Sequence, residues 1–176
     1  MTDRASTSTM IESVMHSPLA IANEFIRRAT DDRRVLTHMQ LQKLVYLAHG
    51  WCLAVTGNPL IEDEFEAWEF GPVDRKLYQA LRRYGAGPVT RPIRWGDDTP
   101  FPDDDLPETA FEELLPEETS VLDGVWENYG EFPAYKLSAL THQAGTPWTS
   151  AYEQGRNRPV ANGTIQEYFI RLADAP

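Results

Sequence analysis

Apolar residues along this chain recur mainly at helical spacing. Ser17-Pro18 carries the serine cap and first-turn proline of a helix start, and Ile21, Ala22, Phe25, Ile26 and Ala29 form the apolar stripe that follows. Thr37 and Gln40 make a capping box for a second helix. Its apolar face is Leu41, Leu44, Val45, Ala48, Cys52 and Val55, so the pattern predicts an amphipathic helix. Gly57 ends it, and Asn58-Pro59 prevents continuation. The aromatic run at 65–70 predicts a short strand, with Glu66, Trp68 and Phe70 on one side and Ala67 and Glu69 on the other. Gly71-Pro72 is predicted to turn the chain directly into a third helix. There Val73, Leu77, Ala80, Leu81 and Tyr84 face inward, while Arg75, Lys76, Arg82 and Arg83 face out.

The pattern breaks between 85 and 115. Pro100, Phe101, Pro102 and Pro107 interrupt that stretch, and from Asp97 to Glu131 there are thirteen acids and no lysine or arginine. It reads as an acidic, proline-rich connector with an extended piece around 88–95; a connector of this length is usually functional or mobile. Helical spacing returns from Pro116 with Val121, Leu122, Val125, Trp126 and Tyr129, and again after Pro133 with Leu137 and Leu140. Pro147-Trp148 leads into a polar loop. Asn162-Gly163-Thr164 opens the last helix, with Ile165, Tyr168, Phe169 and Leu172. The expected fold is mainly α: one compact domain over 17–173, with five to six helices and at most a small β element around 64–70 and 88–95. Residues 1–16 read as a mobile tail. Within it, Thr9 and Glu12 have capping-box spacing beside Met10, Ile11, Val14 and Met15.

The 176 residues suit one domain, and hydrophobic residues make up 41% of them. The formal net charge of -11 opposes binding to phosphate backbones, which makes nucleic acid a poor partner and a basic protein a better one. Cys52 is the only cysteine, so no intrachain disulfide and no multi-cysteine zinc site can form. No apolar run approaches the roughly 20 residues of a membrane span, and a cytoplasmic location is expected. His16, His38, His49 and His142 show no metal-ligand spacing. No nucleophile elbow or glycine-rich phosphate loop occurs. The expectation is a protein with no catalytic residues, cofactor or metal.

Two clusters stand out. Lys43, Tyr46, Trp51, Glu66, Trp68, Phe70 and Pro72 combine aromatic area with charge around one turn. Tryptophan and tyrosine often anchor interfaces, although a lone tryptophan is more commonly core. Thr141-His142 with Pro147-Trp148 ends one helix and begins a loop; His142 there either caps helix carbonyls or contacts a partner. An enzymatic alternative would centre on His142 with Glu66 and Lys43. A DNA-binding alternative would use the basic face of the third helix.

At these residues the chain resembles a known family. Leu41, Gln42, Lys43, Tyr46, Gly50 and Trp51, then Trp68, Gly71, Pro72 and Val73, then Thr141, His142, Pro147 and Trp148 follow the pattern of the Panacea domain, also called the SocA-like or phage-associated GepA-like family. The resemblance runs from about Ser17 to Phe169. It implies an antitoxin that binds a small cognate toxin, of the SocB-like kind, and acts as a proteolytic adaptor delivering it to the ClpX/ClpXP protease; neutralisation by binding alone is the alternative. It carries over no catalytic residue. The toxin-binding residues expected on this basis are Lys43, Tyr46, Trp51, Glu66, Trp68, Phe70, Pro72, His142 and Trp148. The protease tether is expected at Met10, Ile11, Val14 and Met15.

Overall fold

The computed structural model describes residues 14–100 and 108–176. Among them are seven α-helices and one three-stranded antiparallel sheet. The helices are α1 (Pro18–Asp31), α2 (His38–Thr56), α3 (Arg75–Leu81), α4 (Pro116–Tyr129), α5 (Ala134–Thr141), α6 (Pro147–Glu153) and α7 (Asn162–Ala173). The strands are β1 (Phe65–Trp68), β2 (Gly71–Asp74) and β3 (Arg158–Val160), in the order β2-β1-β3.

Mainly α is therefore correct, but there are seven helices where five to six were expected. The extra helix is α6, over residues assigned to a loop. Its start is locally encoded: the Thr146 hydroxyl accepts from the Thr149 amide at 3.3 Å, and Pro147 occupies the first turn. The sheet also differs. Gly71-Pro72 does not open α3 but begins β2, pairing Gly71 with Trp68 and Asp74 with Phe65. α3 starts one turn later, where the Asp74 carboxylate accepts from the Leu77 amide at 2.8 Å. β3 comes from the segment read as polar loop, and the stretch around 88–95 forms isolated bridges and no strand.

α2 is the centre of the molecule. Every residue from 41 to 50 is buried, so it is not amphipathic there. Neighbours pack on all sides: α1, α4, α5, α7 and β2. A helix enclosed this way must satisfy its own polar groups. The Gln42 amide pairs with both backbone groups of Asp74, accepting from its amide at 2.9 Å and donating to its carbonyl at 3.0 Å. His49 accepts from the Ile61 amide at Nδ1 and donates from Nε2 to the Asn162 side chain, at 3.2 and 2.8 Å. Burial lowers the His49 imidazole to about 4, consistent with that neutral arrangement.

The described part of the 85–115 stretch is tied to the body. Val89, Ile93 and Ala110 are in the core. The Asn23 side chain donates to the Ile93 and Ala110 carbonyls and accepts from the Ile93 amide, each at 2.8 Å. Near the N-terminus, His16 is buried between the Glu112 and Glu118 carboxylates, at 3.2 and 2.8 Å. Met10 and Ile11 lie outside the described residues. Val14 and Met15 are exposed.

α2 and α7 meet at Gly50, where an added methyl group would come within 2.2 Å of the Phe169 ring. Overpacking of this kind costs about 1–3 kcal/mol. Gly50→Ala is expected to lower stability by that amount, read as a fall in the urea midpoint with an unchanged slope.

Candidate functional site

β1 and β2 are joined by a two-residue turn, Glu69-Phe70, that stands clear of the sheet. Carbonyls at such a turn lack strand partners and need donors from elsewhere. Here the donors are side chains from three helices. Trp148 Nε1 of α6 donates to the Trp68 carbonyl at 2.7 Å, and Ser138 Oγ of α5 donates to the Phe70 carbonyl at 2.9 Å. His142 lies at the end of α5, with Nε2 3.1 Å from the Glu69 carbonyl and Nδ1 2.6 Å from that of Ser138. From α2, Lys43 Nζ donates to the Pro72 carbonyl at 3.1 Å.

Packing holds these donors in place. The His142 ring sits 3.9 Å from Trp148, which stacks on Tyr152 at 4.6 Å. Gly71 (φ 112°) allows the closest approach: a methyl group there would lie 2.7 Å from both Lys43 Cε and Thr141 Oγ1. A side chain at position 71 would displace the lysine from beneath the turn.

On the outward side of β1, Glu66 accepts from Trp68 Nε1 at 2.7 Å and from Arg75 through both guanidinium contacts, at 3.1 and 2.9 Å. The Trp68 ring lies 4.7 Å from Tyr78 and 5.7 Å from the Arg75 guanidinium. Phe70 is 61% exposed at the tip of the turn. Beside it opens a groove of about 610 Å³ bordered by Met39, Trp68, Phe70, Val73 and Tyr78, with His38 and Lys43 in its lining.

The groove contains two groups with altered basicity. Burial alone lowers the Lys43 amine from 10.5 to about 7. His38 falls to about 4, from burial and then the nearby Lys43 charge. At the end of β2, burial pushes the Asp74 carboxyl up to about 7. Its Oδ2 has no hydrogen-bond partner among the described residues.

The structure thus gathers seven of the nine expected binding residues at the turn: Lys43, Glu66, Trp68, Phe70, Pro72, His142 and Trp148. Of these, Phe70 is exposed, Glu66, Trp68 and His142 are half-buried, and Lys43, Pro72 and Trp148 are buried. Tyr46 and Trp51 lie elsewhere. Tyr46 is buried edge-on to Phe65 and Phe169, and half-buried Trp51 packs edge-on to Phe169 at 5.3 Å. His142, Glu66 and Lys43, grouped in the enzymatic alternative, each have separate partners and share no hydrogen bond. On the basic face of α3, Arg75 pairs with Glu66, Lys76 with Glu62 and, just beyond, Arg83 with Asp97. Among the described residues no three His, Cys, Asp or Glu side chains cluster as a metal site, and no helix is long and apolar enough to cross a membrane.

Several groove residues carried no signal in sequence. Tyr78 lies one position from the inward stripe of α3. Met39 lies two residues before Leu41, where the predicted apolar face of α2 begins. Arg156 and Asn157 belong to the segment read as loop; only the left-handed Asn157 (φ 57°), in a turn-forming residue type, hinted at a defined conformation.

Fold and site together define an α-helical domain organised around a braced β-hairpin and the apolar groove beside it. The family described as Antitoxin SocA-like, Panacea domain, matches residues 41–149. The chain belongs to this family. It is similar to antitoxin SocA of Caulobacter vibrioides (strain NA1000 / CB15N), 30% identical over 133 residues that cover 73% of this chain and 66% of the relative. No solved structure matches.

Lys43 and Asp74 give the site a pH signature. The depressed Lys43 contributes fully to stability above its unfolded value of 10.5, and that contribution is lost as pH falls toward about 7. The raised Asp74 contributes fully below 3.8, and that contribution is lost as pH rises toward about 7. Stability from these groups therefore passes through a minimum near neutrality. Lys43→Met is expected to abolish the rise in urea midpoint that the parent shows between about pH 7 and about pH 10.

Proposed function

We propose that this chain is an antitoxin that binds a small cognate toxin through the β1–β2 turn and its groove, and that it works as a proteolytic adaptor handing the toxin to ClpXP. The observation carrying the binding surface is Phe70. It is a large aromatic residue, 61% exposed, at the tip of a hairpin whose turn and flanking strand carbonyls are held by side chains of three helices. A rigid aromatic beside an apolar groove gives contact area at low entropic cost. Membership of the SocA-like family supports antitoxin action, and similarity to antitoxin SocA supports a toxin of the SocB-like kind as partner. The net charge of -11 would speed encounter with a basic toxin body.

In this reading Trp68, Phe70 and the half-buried His142 meet the toxin directly. Lys43, Pro72 and Trp148 act by fixing the turn. Protease contact falls to the N-terminal residues Met10, Ile11, Val14 and Met15, which raise the local concentration of toxin at the unfoldase. Neutralisation by binding alone is the second reading.

The test is co-expression with the small protein encoded by the adjacent reading frame, in cells with and without ClpXP. Phe70→Ser is expected to weaken toxin binding by about 2 kcal/mol or more with little change in thermal unfolding, as for a central interface anchor. Wild-type affinity in that variant removes the turn as the toxin site. Deletion of residues 1–15, which spares buried His16, is expected to leave toxin binding intact while stopping toxin loss. Unchanged degradation excludes the tether, and a stable neutralised toxin in protease-containing cells favours binding alone.

A further inference from the structure

The charges around the groove differ from those of the molecule as a whole. The chain has 27 acids to 16 lysines and arginines, and its net charge is -11. Arg27, Arg28, Arg75, Lys76, Arg83 and Arg91 each hold a carboxylate within 4 Å. In the groove lining the balance is reversed: Lys43 and Arg156 stand there with Glu69 as the one acid. Neither base forms an ion pair among the described residues.

The floor is also incompletely satisfied. Lys43 is 1% exposed and has three donors when charged, yet its one hydrogen bond goes to the Pro72 carbonyl. A buried cation with so few acceptors is costly, and a carboxylate is the partner that relieves the cost most effectively. The apolar groove between α2 and α4 provides the contrast. Of similar size at about 620 Å³, it has Glu117 as its only charged lining residue.

Resting on the reading of this groove as the toxin site, we infer that the segment docking there is an apolar stretch flanked by acidic residues, even though the partner as a whole is basic. The apolar side chain packs against Met39, Phe70 and Tyr78. A neighbouring carboxylate faces the exposed Arg156 at the rim, above the floor that Lys43 closes. Long-range attraction by the acidic body and short-range selection by a basic groove then use opposite charges on one partner.

The test uses two short fluorescein-labelled peptides with the same Leu-Phe-Leu centre, one flanked by Asp and Glu, the other by Lys and Arg. Binding to the full chain is followed by anisotropy. The acidic peptide is expected to bind at least about ten-fold tighter, with the gap narrowing from about 50 mM to about 500 mM salt. Arg156→Glu is expected to reduce or reverse the preference without altering thermal unfolding, since Arg156 is exposed. Equal affinities, a preference for the basic peptide, or no binding of either overturns the inference. Phe70→Glu separates the two readings. Equal binding of both peptides that this variant abolishes removes the charge preference and leaves the groove as a docking site. A preference for the acidic peptide that survives Phe70→Glu lies elsewhere and overturns both.

Discussion

Four backbone carbonyls at the tip of the β1–β2 hairpin accept hydrogen bonds from side chains of three helices, and this bracing organises the site. Trp148, His142, Ser138 and Lys43 converge on consecutive parts of one hairpin from α6, α5 and α2. Each donor needs its own support: Tyr152 beneath Trp148, Thr141 and Gly71 around Lys43, Trp148 against His142. Removing a donor would leave a partly buried carbonyl without its partner, a greater cost than the hydrogen bond's own small net contribution. This constraint links residues far apart in sequence, from Lys43 to Trp148.

Bracing also changes what those residues mean. Tryptophans and a histidine near a turn resemble a recognition surface or a catalytic cluster when read in one dimension. In three dimensions Trp148, Lys43 and Pro72 face inward and hold backbone. Their spending on structure leaves Phe70 and part of Trp68 as accessible aromatic area. A similar division runs through the electrostatics. Arginines on α1 and α3 are engaged by the chain's own acids, whereas Lys43 and Arg156 in the groove lining hold no carboxylate among the described residues. An acidic protein can thus present a locally basic recess.

Much of the helical framework was legible from local signals. Ser17-Pro18, the Thr37–Gln40 box and Gly57 mark real ends because capping satisfies backbone groups that a helix leaves open. α6 was missed although Thr146-Pro147 carries the same chemistry, because a seven-residue helix has too few turns to display a stripe. In sequence α2 reads as amphipathic because Gln42, Lys43 and His49 look like a polar face. Only the surrounding elements show them buried, each with a specific partner.

The residues that form the hairpin site were mostly visible in sequence as a dense aromatic and charged block, and the resemblance to the Panacea family drew the 141–148 segment to it. Sequence alone determined the helical class, the strand at β1 and the residue types available to the site, since these depend on local periodicity, capping and composition. Tertiary structure decided which side chains face a partner and which hold the turn. It also created β2 as a strand and brought Arg156 and Tyr78 to the groove. Those outcomes depend on contacts between segments about a hundred residues apart, such as Lys43 with Thr141 across Gly71, and no local pattern encodes them.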